Sequence, residues 1–330
     1  MTRTVQASVA MILLALTAIV GLAPGSAFAF PAFSDWPSRT VKIIVPFPGG
    51  SPNDIAGRTY AAGLAKRWRR PVTVEGRLDA EMIAAGGPLA DVWDDHTLLY
   101  GTAGMIATKP LVRRAPAEDH VLDMAPICSG ARTILVIAVS SSLPARSLRD
   151  LVELARSRPG ELTWSAGPSV PHLAFATSIR RHGLHLLQVP YRDAATARAD
   201  LRDGRVHVLS HSLPAVADLV AQGQARILAV TSPQREPALA DIPTVTEAGF
   251  PEMSIENLSG LFGSRAMPPE VRDRIAADMR AVARDGALVA RLEANGQRAL
   301  GSTPADFAAA IGRYRIRVQQ ILHIVDPKAY

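Results

Sequence analysis

The sequence predicts an α/β fold in which parallel sheets are covered by helices, and two observations lead to this prediction. Short apolar runs rich in Val, Ile and Leu alternate with stretches of helix length from residue 41 almost to the end of the chain. Strands that alternate with helices in this way favour parallel sheets. The second observation is a strand, a glycine turn and a helix start that follow one another between Val41 and Asp54.

The stretch that begins at Val41 contains the first strand. Val41–Val45 is a β-branched run with the length of one buried strand. Pro46 and Pro48 cannot donate to a strand ladder, so the strand ends before them. Gly49 and Gly50 adopt backbone angles that other residues resist, which allows the chain to turn sharply.

A helix is predicted to begin immediately after this turn. Ser51 is a favoured N-cap residue, Pro52 suits the first helical position, and Asp54 stands three residues after the cap. A helix start carries unpaired N–H groups and a partial positive charge, which attract anions such as carboxylates. From these residues alone, both an anion site and an ordinary strand-to-helix connection remain open.

The other elements are predicted from periodicity, capping residues and glycine or proline breaks. The predicted strands are Pro71–Val74, Thr97–Tyr100, Ile134–Val139, Leu162–Ser165, Leu186–Val189, Val206–Ser210, Ile227–Thr231 and Gly260–Gly263. The predicted helices are Pro52–Arg67, Ile83–Val92, one capped by Ser147, one beginning at Pro171, Ala194–Arg202, Pro214–Gln222, Pro269–Arg284, Leu288–Asn295 and Pro304–Val325. Turns are predicted at Gly101–Gly104 and Gly167–Val170, and ligands of parallel sheets bind beyond such strand ends.

Composition and motifs exclude several classes of function. The 330 residues are 48% hydrophobic, which allows two globular domains. The net charge of +6 is dispersed and aromatic residues are only 5%, so nucleic-acid binding is not indicated. The sequence contains no P-loop, no GxGxxG and no GxSxG motif, so no cofactor is expected and enzyme chemistry has no positive signal.

Two residue types that often carry chemistry favour structural interpretations here. Cys128 is the only cysteine, and its apolar, strand-like context favours a buried inert thiol over a nucleophile. His207 and His211 are four residues apart, but on a strand they would stand about 13 Å apart at ~3.3 Å per residue. That separation is too large for one metal ion, so no metal site is expected.

The N-terminus has the features of a secretory signal peptide. Arg3 supplies the positive charge, Val9–Leu22 is apolar and uncharged, and Ala27–Ala29 has the small-x-small pattern of a cleavage site. Residues 1–29 are therefore interpreted as a signal peptide, and the alternative is an uncleaved N-terminal anchor. The apolar segment is short for a membrane span.

Several short motifs stand in order along the chain. The first are Trp-Pro-Ser-Arg at residues 36–39 and Val-Pro-Phe-Pro-Gly-Gly at residues 45–50. The others are the segments Gly101–Gly104, Pro171–Leu173, Val189–Tyr191, Ala229–Ser232, Asp241–Val245, Glu247–Gly249, Gly260–Phe262 and Gly301–Pro304. Together they resemble the Bug/TctC family, the periplasmic solute-binding receptors of tripartite tricarboxylate transporters, and the resemblance covers the chain from about Trp36 to Val325.

The resemblance implies a type II periplasmic binding protein, an α/β protein with two lobes, two crossing strands and a ligand cleft between the lobes. Lobe one would comprise residues 36–131 and 255–330, and lobe two residues 132–254. The crossings would lie near Arg132–Val136 and Pro251–Gly260. Family ligands are small carboxylates: dicarboxylates and tricarboxylates, aromatic acids and acidic amino acids.

Carried over onto this chain, the ligand-binding positions fall on four segments. They are Phe47, Gly49, Gly50, Ser51 and Asp54 on the first; Thr102, Ala103 and Gly104 on the second; Ser165, Gly167, Ser169 and His172 on the third; and Tyr191 on the fourth. Three of them have structural alternatives. Asp54 is suited to capping a helix, His172 to a satisfied position at a helix start, and Tyr191 to packing at a strand end.

The chain departs from the family pattern at some cleft positions, for example where His207 and His211 stand in place of the usual acidic residues. The ligand is therefore either atypical or lost. The interpretation favoured is an exported, monomeric, non-enzymatic receptor that delivers a small carboxylate to a membrane permease. The alternatives are a sensory binding protein for a two-component system and a periplasmic α/β enzyme.

Overall fold

The computed structural model describes residues 36–77, 94–112, 124–167, 170–191 and 193–324. The predicted signal peptide and the predicted helix Ile83–Val92 lie outside these ranges. All helices and strands described below belong to the unit Pro37–Tyr330. None of the helices within these ranges has the length and apolar character needed to cross a membrane.

The described strands are numbered in chain order. They are β1 (Val41–Val45), β2 (Val72–Gly76), β3 (Thr97–Thr102), β4 (Met124–Thr133), β5 (Leu135–Ser140), β6 (Thr163–Ala166), β7 (Leu187–Gln188), β8 (Val208–Ser212), β9 (Ala225–Val230), β10 (Asn257–Ser264) and β11 (Gln297–Ala299). The short strand β11 and the whole of β4 are absent from the predicted strands, although the context of Cys128 was described as strand-like.

The described α-helices are numbered in the same way. They are α1 (Pro52–Trp68), α2 (Ala103–Val112), α3 (Leu148–Ser157), α4 (Val170–Arg181), α5 (Ala194–Arg202), α6 (Ala217–Ala221), α7 (Pro269–Val282), α8 (Gly286–Glu293) and α9 (Pro304–Ile324). Short 3-10 turns occupy Leu213–Ala215, Pro237–Leu239 and Pro251–Met253. The prediction of α5 is correct to the residue, whereas α2 was missed.

The strands form two mixed sheets rather than the parallel sheets that the sequence predicts. Sheet one has the order β11-β4-β10-β3-β1-β2, and sheet two has the order β7-β6-β8-β5-β9. β1 is parallel to β2 and β3, and β6 is parallel to β7 and β8. β10 runs antiparallel to β3 and β4, and β5 runs antiparallel to β8 and β9.

The connection between the sheets explains the antiparallel strands. β4 in sheet one and β5 in sheet two are separated only by Ile134, so the chain passes directly from one sheet to the other. It returns through the segment between Val230 and Asn257. Each strand that starts at this passage lies beside strands that end there, so it must run in the opposite direction. We call the passage around Ile134 the junction.

Helix α1 forms as its sequence predicts. The side chain of Ser51 accepts the Asp54 N–H at 3.3 Å, and Pro52 begins the helix. Its buried face includes Ala56, Tyr60, Leu64 and Trp68, which stand four residues apart in the sequence. The helix ends at Arg69, which adopts a left-handed conformation with φ 53°.

The apolar core connects the two sheets. Leu173 and Ala174 on α4 belong to the same buried cluster as Phe307, Ile311 and Val318 on α9. Helix α4 follows a strand of sheet two, whereas α9 covers sheet one. The two halves of the molecule are therefore packed together by apolar contacts, as well as joined at the junction.

Candidate functional site

Strands of both sheets end at the junction, and three of them, β1, β3 and β6, precede predicted ligand segments. Ser212 at the end of β8 pairs with Leu135, and Thr133 at the end of β4 pairs with Asn257. β6 runs parallel to β8. β1 and β3 run in the direction of β4, because β10 lies antiparallel to both β3 and β4. The carboxyl ends of β1, β3, β6 and β8 are therefore directed toward the passage between the sheets, where α/β folds bind ligands.

The first predicted segment is a turn closed by its own hydrogen bonds. Gly50 has φ 78°, a conformation that glycine adopts without strain. The Ser51 N–H donates to Pro48 O at 3.1 Å. Phe47 is half-buried, whereas Gly49 and Gly50 are exposed. The segment is therefore a defined turn that precedes the N-terminus of α1, as predicted.

Asp54 is bound within this turn. Its side chain is buried; one oxygen accepts the Gly50 N–H at 3.0 Å, and both oxygens accept from Arg58 Nε at 2.9 and 3.1 Å. The sequence predicts a capping box at Ser51, but the carboxylate bonds to the Gly50 N–H instead of the Ser51 N–H. These hydrogen bonds give Asp54 a structural role at the start of α1, which was the alternative to ligand contact considered from the sequence.

Two residues of the first segment, Gly49 and Asn53, have polar groups that remain available to a ligand. Among the described residues, no acceptor is recorded for the N–H groups of Gly49 and Asn53. The side-chain Oδ1 of Asn53 is buried and has no hydrogen-bond partner in this part of the chain. Asn53 was not among the predicted site residues. Its place at the second position of α1, beside the N-cap, was the signal that could have identified it.

The second predicted segment differs from its prediction. Gly101 and Thr102 belong to β3, and Ala103 and Gly104 begin α2, so no glycine turn separates them. The Thr102 hydroxyl accepts the Met105 N–H at 3.2 Å and thereby caps α2. The first-turn amides of Ala103 and Gly104 have no acceptor within the helix. The segment therefore presents the N-terminus of a helix beside the end of β1.

Glycine is required at position 104 because helix α9 packs closely against it, and not because the chain turns there. A Cβ atom at this position would lie 2.9 Å from the hydroxyl oxygen of Tyr314 on α9. Tyr314 itself is buried, so it has little room to move. The glycine that suggested a loop in the sequence instead allows α9 to pack against α2.

The third predicted segment follows β6 in sheet two. Ser165 is buried within β6, and the Gly167 N–H extends the ladder to β8 by donating to Ser210 O at 2.9 Å. Ser169 lies outside the described residues. His172 lies in the first turn of α4, and its ring packs against Trp164 with 5.0 Å between the ring centroids. Burial lowers the pKa of His172.

Tyr191, the fourth predicted position, has a structural role. Its hydroxyl donates to Asp200 on α5 at 2.6 Å, and its ring packs against an apolar cluster on one face of sheet two. Burial and the neighbouring carboxylate raise its pKa. The strand-end packing considered for Tyr191 is therefore observed, and it leaves the hydroxyl already engaged.

His207 and His211 lie at opposite ends of β8. The strand starts at Val208, two residues later than predicted, so His207 precedes it. The Nδ1 atom of His207 accepts the Thr163 N–H at 3.0 Å, and the Nδ1 atom of His211 accepts the Ser212 N–H at 2.9 Å. Burial lowers the pKa of both imidazoles. In the described part of the chain, no three His, Cys, Asp or Glu side chains could hold a metal ion.

Cys128 is buried in β4, as its sequence context predicts. Burial raises the pKa of its thiol, which disfavours the nucleophilic thiolate. The backbone N–H of Ser302 lies 3.3 Å from the sulfur. Cys128 is therefore part of the core of sheet one.

A buried Ser, His and Glu cluster lies away from the strand ends. Ser178 donates to Glu252 Oε1 at 2.8 Å, and His182 Nε2 lies 3.0 Å from the same oxygen. A hydrolytic triad needs the histidine between the serine and the carboxylate. Here the carboxylate lies between the other two, so the serine has no base to activate it. The cluster instead connects α4 to the 3-10 turn that contains Glu252.

A buried ion pair crosses the junction. Arg132 near the end of β4 lies 2.9 Å from Glu236 and 3.0 Å from Glu256. The Glu236 side chain is only 1% exposed, and that of Arg132 is 11% exposed. Glu236 and Glu256 both belong to the segment that returns from sheet two to sheet one. Arg132 therefore holds the two passages between the sheets together.

The chain matches a known family over most of its length. The model of the tripartite tricarboxylate transporter family receptor, TctC, matches residues 56–323. A Pseudomonas sp. (strain P51) protein, the UPF0065 protein in the tcbD-tcbE intergenic region, is 29% identical over 274 residues, which are 82% of this chain and 81% of that protein.

Solved structures agree in fold. R. palustris Rpa4515 with adipate is 28% identical, with a TM-score of 0.72 over 88% of this chain and 98% of that one. MatC (Rpa3494) from Rhodopseudomonas palustris with bound malate is 22% identical, with a TM-score of 0.70 over 87% of this chain and all of that one. The chain therefore belongs to the TctC family, whose members are periplasmic solute receptors and not enzymes.

Proposed function

We propose that this receptor binds a small carboxylate where the strand ends of the two sheets meet. The observation that carries the proposal is that the carboxyl ends of β1 and β3 in sheet one, and of β6 and β8 in sheet two, are directed toward the junction. In sheet one, β1 leads through the turn at residues 46–51 into the N-terminus of α1, and β3 leads directly into the N-terminus of α2. Helix N-termini attract anions through unpaired N–H groups and the helix dipole.

The ligand class follows from the groups available. On the side of sheet one, the amides of Gly49, Asn53, Ala103 and Gly104 are donors suited to one carboxylate group. Asp54 contributes no repulsion at contact distance, because its carboxylate is buried against Gly50 and Arg58. Among relatives, Rpa4515 was solved with adipate, and MatC was solved with malate. We therefore place dicarboxylates first among the candidate ligands.

The mechanism that we propose is binding followed by closure of two lobes. We assign residues 36–131 and 255–330 to lobe one, and residues 132–254 to lobe two. This division is supported by the sheets: every strand of sheet two lies between residues 135 and 230. A ligand that contacts both lobes favours the closed state through its additional contacts there.

Export and delivery complete the proposal. Residues 1–29 would be removed as a signal peptide, and the mature chain would act as a monomer in the periplasm. There it would present its ligand to the membrane permease of a tripartite tricarboxylate transporter. The family to which the chain belongs supports this role.

A thermal-shift screen of the chain from Phe30 onward tests the proposal. The panel contains monocarboxylates, dicarboxylates, tricarboxylates, aromatic acids and amino acids. An acid at 100 times its dissociation constant should add about 2.7 kcal/mol to the free energy of unfolding, which raises the Tm by several degrees. Absence of a shift with every acid, in a protein that unfolds cooperatively, would contradict the carboxylate assignment.

A further inference from the structure

His211 lies at the end of β8 that is directed toward the junction. It pairs with Val136 on β5, and Ser212 beside it pairs with Leu135. On the other side of β8 is β6, where Ala166 pairs with Ser210. His211 is therefore next to Gly167, in the third predicted ligand segment.

The protonation of the ring follows from one hydrogen bond. The backbone N–H of Ser212 points at Nδ1 of His211, 2.9 Å away. A backbone amide can only donate, so Nδ1 must be the acceptor, and a neutral imidazole then carries its proton on Nε2. Protonation of Nδ1 would place its N–H against the N–H of Ser212, and burial also lowers the pKa of the ring. His211 is therefore an uncharged donor at Nε2.

The absence of a side chain at residue 167 leaves this donor open. A Cβ atom on Gly167 would lie 3.4 Å from both Nε2 and Cδ2 of His211. No hydrogen-bond acceptor for Nε2 is recorded within the described ranges, and the ring is only partly buried. The donor thus has access to the space in front of Gly167.

We propose that the Nε2–H of His211 binds an oxygen atom of the ligand at the end of sheet two, and that it does so without a positive charge. The inference rests on the proposed function. It implies a ligand with two separated acceptor groups, a carboxylate at the helix starts of sheet one and a second oxygen that reaches His211. A dicarboxylate such as adipate meets this requirement.

The chain provides a matched control for removing this histidine. His207 also accepts a backbone N–H at Nδ1, but it lies at the opposite end of β8. His207→Leu and His211→Leu therefore each remove a side-chain acceptor of a backbone N–H. Only the second substitution removes a donor from the proposed site.

The experiment is a calorimetric titration at pH 7.5 with adipate, and with malate if adipate gives no heat. His211→Leu should weaken binding by about tenfold or more, the usual cost of a hydrogen bond to a charged group. His207→Leu should leave the affinity within about twofold, and His211→Gln, which keeps a donor, should recover part of the loss. Equal affinities of the two leucine variants would overturn the inference.

Two further measurements do not require a large change in the core. Gly167→Ala should fold, because Gly167 does not have positive φ and its added Cβ would lie at ordinary contact distance. It should weaken binding by covering Nε2, and unchanged binding would overturn the proposal.

Ring ¹⁵N shifts of His211, assigned with His211→Gln, should show the Nε2–H form, and a protonated Nδ1 would contradict it.

Failure of the inference and failure of the proposed function give different results. If the unmodified protein binds none of the acids of the thermal-shift panel, the carboxylate proposal fails, and this inference fails with it. If the unmodified protein binds one of them and His211→Leu binds it equally well, only the role of His211 is refuted.

Discussion

The two sides of the proposed site are built in different ways. The side of sheet one consists of backbone groups: a glycine turn before α1 and the first amides of α2, with Asp54 and Thr102 holding their geometry. The side of sheet two consists of side chains, with His211 beside Gly167 and His172 at the start of α4. Backbone amides can bind the carboxylate group of any acid. Binding by side chains depends instead on which other groups the ligand carries.

This difference suggests a division of roles. We expect the side of sheet one to supply affinity for a carboxylate group and the side of sheet two to select among acids. Substitutions on the first side should act by deforming the backbone. Substitutions on the second side should act by changing the groups that the ligand meets.

Arg132→Met should disrupt the connection that both sides share. It leaves the Glu236 carboxylate, which is 1% exposed, without its cation. Removing one partner of a buried ion pair typically costs about 3–5 kcal/mol of unfolding free energy. Urea unfolding followed by circular dichroism measures this loss.

Arg235→Met is the matched control for that substitution. Arg235 pairs with Glu247, but both side chains are 47% exposed, so the loss should be at most about 1 kcal/mol. Equal losses in the two variants would mean that the pair at the junction does not hold the sheets together.

Asp54→Ala tests whether the side of sheet one depends on backbone geometry. The substitution leaves the Gly50 N–H without its acceptor and removes the partner of Arg58. We expect a loss of about 1–3 kcal/mol in stability and weaker binding of adipate by calorimetry. Simple removal of a negative charge would strengthen carboxylate binding instead. Tighter binding by this variant would therefore show that Asp54 repels the ligand directly.

Thr102→Val preserves the shape of the side chain but removes the cap of α2. We expect a loss of about 1 kcal/mol in stability and a clear loss of affinity, because the first amides of α2 are no longer fixed. Thr303→Val removes a comparable cap, the acceptor of the Asp306 N–H, from α9. That variant should lose similar stability in thermal unfolding but bind normally. Loss of binding in both variants would indicate a general effect of destabilisation.

The smallest effect concerns pH. Burial lowers the pKa values of His172, His207 and His211 in the folded chain. In the unfolded chain these histidines have the ordinary pKa of about 6.5. Below that pH the unfolded chain therefore binds more protons than the folded chain. Stability should therefore be greatest above this pH and decrease from about pH 7 to pH 5. His211→Gln should reduce the slope of Tm against pH. An unchanged slope would mean that His211 is solvated and titrates normally.

The sequence predicts the side of sheet one better than the side of sheet two, for a physical reason. The turn before α1 depends on neighbours in sequence: Ser51 caps the helix, Pro52 begins it, and Gly50 supplies the positive φ. The contact between Gly167 and His211 depends on the pairing of β6 with β8, which are more than forty residues apart. No local pattern specifies that register.

Glycines account for another part of what the sequence could not predict. The segment Gly101–Gly104 suggested a turn. Gly104 instead leaves room for the side chain of Tyr314 on α9. Similarly, a Cβ on Gly260 would lie 2.3 Å from the carbonyl oxygen of Cys128 in the neighbouring strand. A glycine required by tertiary packing looks the same in sequence as one required by a turn. The antiparallel strands were missed for a related reason, since the passage at Ile134 contains no turn signal.

The proposed site requires that one acid is held by both sheets at once. Calorimetric titration of adipate into the unmodified chain, Thr102→Val and His211→Leu in parallel tests this requirement. We expect one adipate per chain and weaker binding in both variants, one on each side of the junction. Absence of binding in the unmodified chain, or a loss in only one of the two variants, would contradict a site shared between the sheets.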